Sequence, residues 1–221
     1  MAKTSLSSLI TNAGYLLETT LSATSDPTKT EVIAWINEGQ RDIALKCPWW
    51  VLKDLISESN PSIAAVSLVA WSVIQASADY VKFCYATLCP SGTGDALPVR
   101  LVTPEIAAMA TTNNLVYDSS SPIMWFDATN VNFLPATSGG AATGKLRFYF
   151  IKQPTDLSGD SDTISVPEEF SDAVVYYAAA KCRAQEEEWQ QYAQLMQLYN
   201  EQLLTIINNY KRFQGVGNGS K

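Results

Sequence analysis

The chain has 221 residues, 47% of them apolar and 17% charged, which is enough to bury an ordinary globular interior and excludes a disordered chain. Its formal charge of −7 argues against a surface that grips nucleic acid, because phosphate affinity rests on clustered Lys and Arg. It contains no histidine, which removes Ser-His-Asp and Cys-His nucleophile systems, HExxH zinc sites and the commonest neutral-pH acid–base group.

No basic, apolar, small-residue pattern opens the chain, and its longest mostly apolar run, residues 63–74, is too short to cross a bilayer, so a soluble, unprocessed protein is expected. Leu6, Leu9, Ile10, Ala13, Leu16, Leu17 and Leu21 recur at helical spacing, and the breakers of residues 22–27 end that helix. A second helix starts at Pro27 or in Thr28–Thr30. Its apolar stripe is Val32, Ile36, Ile43 and Cys47, opposite Asn37, Glu38, Arg41 and Asp42. Pro48 stops it. Trp49 and Trp50 follow at once, rings too costly to expose, so Pro48, Trp49 and Trp50 are expected to mark an interdomain joint; ordinary core packing fits the same residues.

From residue 49 to 165 short apolar or alternating runs alternate with Pro, Gly, Asn and Ser clusters. The strand candidates are 65–74, 79–88, 97–102, 114–117, 123–126, 130–134 and 145–152, with turns at 90–95, 113–114, 119–122, 137–140 and 157–160. Thr103 and Pro104 open a brief helical turn through Met109. Short strands with frequent turns predict an antiparallel sandwich or small barrel.

After Pro167 the pattern is helical again. Phe170, Ala173, Val174, Tyr177, Ala178 and Cys182 share a face, and Trp189, Tyr192, Met196, Tyr199, Leu203, Ile206, Tyr210 and Phe213 continue in steps of three and four. The seam fits one long helix and a pair broken near Gln185–Glu188 equally well. The predicted class is therefore α+β: a helical bundle from residues 1–47 and 167–213, an inserted β-rich domain over 48–166, and a flexible tail over 214–221.

The residues offer little chemistry. Cys47, Cys84, Cys89 and Cys182 are dispersed and read as reduced, packed thiols, and only Cys84 and Cys89 are near each other, so neither a disulfide framework nor a four-cysteine zinc site is expected. The glycine runs at 91–96 and 215–219 lack the helix and spacing of a nucleotide fingerprint. GDSD at 159–162 lacks the glycine and glutamate of a calcium loop. Glu168 and Glu169 suit a helix's first turn. No catalytic residue, metal or cofactor is expected, and no spacing places two carboxylates across a cleft. The abundant aromatics, among them Trp71, Trp125, Phe126 and Phe148–Phe150, leave a non-catalytic glycan-binding module as the alternative function.

TEVIAWINEGQRDIA followed by PWWVLKD, then ADYVKFCYATL, LVTPEIAAM, KLRFYFIKQPTDLSGDSDTISVPEEFSDAVVYYAAAKCRA and EEEWQQYAQLMQLYNEQL, resemble head-to-tail adaptor proteins of tailed bacteriophages, some called connector, head-completion or tail tubular proteins. The likeness is most marked over residues 28–54, 79–109 and 145–204. It implies a structural virion protein at the capsid–tail junction, made in the bacterial host cytoplasm. Such a protein forms a homo-oligomeric, usually dodecameric ring that docks on the portal protein, extends the DNA channel without specific DNA binding, and offers a platform to a tail or nozzle protein. The family's C-terminal extensions contact the portal, which assigns portal binding here to Lys211, Arg212, Phe213, Gln214, Gly215, Val216, Gly217, Asn218, Gly219, Ser220 and Lys221. No membrane is involved.

Overall fold

Helix formation starts where the Ser5 hydroxyl accepts a hydrogen bond from the Ser8 N–H, opening α1 (Leu6–Leu17). The computed structural model describes residues 3–60, 62–63, 68–70, 72, 79–89, 96–112, 121–134 and 144–216. Helix α1 buries Leu6, Leu9, Ile10, Ala13 and Leu17, but stops short of Leu21. Glu18 turns into the left-handed region at φ 55°, and the Thr19 N–H folds back to the Gly14 carbonyl at 3.0 Å. Gly14 permits this, since an added Cβ would lie 2.8 Å from the Thr19 carbonyl oxygen.

Helix α2 (Lys29–Lys46) opens on a capping box in which Thr28 and Glu31 satisfy each other's backbone N–H groups. It ends at Cys47, extended before Pro48. Its core residues are Val32, Ile36, Ile43 and Ala44, joined by two polar side chains, Asn37 and Gln40. Spacing put Asn37 on the polar face; it is 8% exposed.

One helical turn at Glu168–Phe170 leads into α4 (Ser171–Gln185), and α5 (Trp189–Val216) follows, so the C-terminal pattern is a helix pair; α3 (Pro104–Thr112) lies in the β-rich part. The break has a built cause. Glu187 adopts φ 60°, the Glu188 N–H bonds the Arg183 carbonyl at 2.9 Å, and the Arg183 guanidinium holds Glu186 and Glu188 at 2.8 and 3.1 Å. Helix α5 runs to Val216, so the segment read as a tail from Gln214 begins as helix. Helix α4 is central and packs on α1, α2 and α5.

The strands are β1 (Ile56–Ser59), β2 (Ser62–Ile63), β3 (Leu68–Ala70), β4 (Tyr80–Cys89), β5 (Leu97–Pro98), β6 (Arg100–Leu101), β7 (Ile123–Phe126), β8 (Asn130–Leu134) and β9 (Gly144–Lys152). One sheet has the order β1-β9-β4-β5, with β2 also on β9; the other has β3-β8-β7-β6. Among the described residues the strand pairs are antiparallel, as expected, apart from β6 with β7, which is parallel. The run 97–102 accounts for it: one strand was expected, but after Pro98 the chain changes sheets. The Val99 N–H bonds Ala86, and the Arg100 and Val102 N–H groups bond Pro122 and Met124. Both sheets contribute to a common core that includes Val69, Leu88, Met124, Phe133, Phe148 and Phe150. The expected strand at 114–117 and the turns at 90–95, 113–114 and 137–140 lie outside the described residues, as do 65–67, 71, 73–74 and 119–120.

The chain divides into two compact units, residues 1–55 with 153–221, and residues 56–152. The boundaries differ from those read at 48 and 166, because residues 48–55 and 153–166 belong to the helical unit.

Candidate functional site

Residues 153–166 contain no regular element of their own beyond a single bridge between Thr163 and Ser5, yet they are tied down along the helical unit. The Asn37 side chain donates to the Leu157 carbonyl at 3.1 Å and accepts from the Leu157 N–H at 2.9 Å, as a neighbouring strand would. The Gln40 carbonyl oxygen accepts from the Ser165 N–H at 2.8 Å. Ion pairs Arg41–Asp156 at 2.6 Å and Lys29–Asp160 at 2.8 Å extend the attachment, and the Leu6 N–H bonds the Asp162 carbonyl. Two α2 amides thereby satisfy backbone groups that a buried irregular segment would otherwise leave unpaired.

A second network joins α2, α4 and α5. Glu38 accepts from the Tyr177 hydroxyl at 2.7 Å and from Lys181 at 2.8 Å. Asp42 accepts from the Tyr199 hydroxyl and pairs with Lys46 at 2.7 Å. The Tyr177 and Tyr199 rings meet edge to face at 5.3 Å, and Tyr199 is fully buried. Burial and the Glu38 hydrogen bond push the Tyr177 hydroxyl up to about 12, and burial with the Asp42 bond pushes Tyr199 higher still. Burial acts to raise Glu38, but the Lys181 and Tyr177 bonds outweigh it and hold the carboxyl low.

The other displaced carboxylates also move down: Glu31 through Thr28, Glu105 through the Thr103 hydroxyl, Asp127 through Asn132 and the Thr129 and Asn130 N–H groups, and Asp162 through the Ser158 and Gly159 N–H groups. These groups are held as anions, as in a structural network; a general acid needs the opposite shift. Among the described residues no cluster of His, Cys, Asp and Glu is placed to hold a metal, and no helix is long and apolar enough to cross a membrane. The four cysteines are buried thiols joined in no disulfide, with burial raising Cys84 to about 11 and Cys182 to about 12.

The residues singled out from the sequence are not gathered at one point. Pro48 and Trp50 are half-buried and Trp49 is 36% exposed; all three belong to the helical unit, before the chain passes to the β unit at Ile56. Lys211 and Arg212 are exposed on the last turns of α5, Phe213–Val216 continue that helix, and 217–221 lie outside the described residues. Of the aromatics that suggested a glycan platform, Phe148 and Phe150 are core, Phe126 packs against it, and Tyr149 stacks on Tyr85 at 4.4 Å. Trp71 is among the residues not described.

Two surface grooves on the helical unit escaped sequence reading, because each draws on residues distant in the chain. One lies between α1 and α4, lined by Asn12, Tyr15, Leu16, Asp172, Val175 and Tyr176. The other is lined by Glu169, Gln202, Thr205, Ile206, Asn209 and Tyr210. Each groove lining holds a single carboxylate, Asp172 in the first and Glu169 in the second. No curated protein matches the sequence. The model of one protein family, described as SU10 adaptor protein, matches residues 4–218.

Proposed function

Because the chain belongs to the SU10 adaptor protein family, a phage head-to-tail adaptor family and thus a source of virion structural proteins, we propose that it works as a ring, dodecameric in the usual form of such adaptors. The ring docks beneath the portal, continues the DNA channel and presents a platform to tail components at the capsid–tail junction. The observation that carries this reading is the extent of the family match, which takes in both compact units.

Charge supports it. The helical unit holds 10 Lys and Arg against 16 Asp and Glu, a formal −6, whereas the β unit holds 5 against 6, a formal −1. A wall with that balance repels phosphates, so DNA slides without lodging. Portal contact is assigned to the end of α5 and the residues after it, 211–221.

Negative-stain microscopy of the purified chain mixed with its portal protein tests the proposal. Rings seated on portals are expected; a chain that stays monomeric with the portal present overturns it. Deleting 214–221 should leave the thermal melt unchanged while lowering portal affinity, read by co-sedimentation. Equal affinity would move the portal contact elsewhere.

A further inference from the structure

Helix α5 carries two stripes. The inner one buries Tyr199, Leu203 and Ile206. The outer one, Trp189, Ala193, Gln197, Asn200, Leu204 and, two turns on, Lys211, repeats in the same steps of three and four, and every member is exposed. Across its 28 residues, about 42 Å of helix, the only charged residues are Glu201, Lys211 and Arg212. A solvated helix face ordinarily carries charges, whereas interface cores are depleted of them. Trp189 is 62% and Leu204 60% exposed.

Elsewhere on the same unit lies a surface of opposite charge. Residues 4–28 carry Glu18 and Asp26 and no Lys or Arg. The α1/α4 groove adds Asp172 beside Tyr15, which is 76% exposed, and Leu16. The Leu204–Lys211 end of the stripe stands level with the groove: Glu169 and Tyr210 of α5 line one pocket, and Asp172 follows Glu169 by less than one turn. Rotation about a ring axis parallel to the bundle preserves level, so these are patches that a ring can bring together. Glu201 borders the middle of the stripe, where it accepts from Gln197 at 2.7 Å, so the cationic end is Lys211; because the helical unit is −6 overall, two copies meet with least repulsion where that end faces Asp172 of the groove.

We propose that the Leu204–Lys211 end of the outer stripe of α5 seats in the α1/α4 groove of a second copy of this chain, a head-to-tail contact of unlike patches that closes into a ring. This rests on the ring reading above. Lys211 then belongs to the contact between copies, and Arg212 with the residues after it remains for the portal.

The test is cross-linking of the full-length double variant Tyr15→Cys/Leu204→Cys with a short bis-maleimide at about 100 µM, since a contact of one helix width is at the weak end of interfaces. The native cysteines are all buried, and melts matching the parent confirm folding. The expected result is a ladder of dimers, trimers and higher species from the double variant alone. A control pair, Leu101→Cys/Leu204→Cys, should give none. Adding Lys211→Glu should lower the ladder yield about tenfold, and Glu18→Lys should restore it. Dimers from Leu204→Cys by itself, or a ladder no stronger than the control, overturns the proposal. Portal-seated rings without this cross-link would remove the contact and leave the adaptor reading standing.

Discussion

Gly14 shows how one missing methyl shapes the first helix. Alanine favours helix over glycine by about 1 kcal/mol, but here its Cβ would meet the Thr19 carbonyl at 2.8 Å. Backbone must then move, and Gly14→Ala should lose about 1–2 kcal/mol net, overpacking outweighing propensity, seen as a lower urea midpoint. Asn37 carries the opposite lesson. Its position on the helix wheel looks solvated, and nothing in the local sequence says that its amide will pair with Leu157, 120 residues away. Asn37→Leu keeps the branching of the side chain but strands a buried N–H and carbonyl, so a loss of about 2–4 kcal/mol is expected by thermal or urea melt. Trp49 and Trp50 make the same point: ring size argues against exposure, yet partners decide how much of each ring is covered. With Trp49 36% exposed, truncating it should cost well below the roughly 3–5 kcal/mol of a fully buried ring.

Among the elements, those with a local signal were legible. Short apolar or alternating runs located β7 and β8, the breakers before Thr28 bracketed the start of α2, and Pro48 marked its end. The break between α4 and α5 was visible only as an alternative, since three glutamates fit an outer helix face as well as a turn; the Arg183 clasp that decides it is tertiary. Strand β1, ISES, carries no strand signal and exists because β9 pairs with it. The strap 153–166 was read as part of the β domain, for its polar turns resemble hairpin loops. It is also sensitive to acid. The Ser158 and Gly159 N–H groups hold the Asp162 carboxyl below its ordinary value. A depressed pKa gives stability that is present above the unfolded value of about 3.9 and lost as pH falls through the folded one. The parent should therefore lose stability more steeply below about pH 4 than Asp162→Asn, in melts taken across that range; parallel curves would refute the role.

For the whole molecule, the acidic balance that spoke against nucleic-acid gripping is unevenly shared, a fact that composition alone conceals. Helical ends with a β-rich middle could be foreseen because the hydrophobic period changes from 3.6 to 2 and back, whereas the crossing points could not, because the strap and the 48–55 segment attach through long-range bonds. One further outcome follows from the ladder between β1 and β9. Ile56 faces Ile151 as an antiparallel partner, so the insertion leaves and rejoins its host through two neighbouring points, about 5 Å apart at the Cα atoms. A graft with adjoining ends can be cut out without tearing the stock. A chain joining Leu55 to Gln153 through a four-residue glycine-containing turn should yield an autonomous all-helical miniprotein with one cooperative melt by circular dichroism, and the same two points would accept a foreign domain whose own ends are side by side.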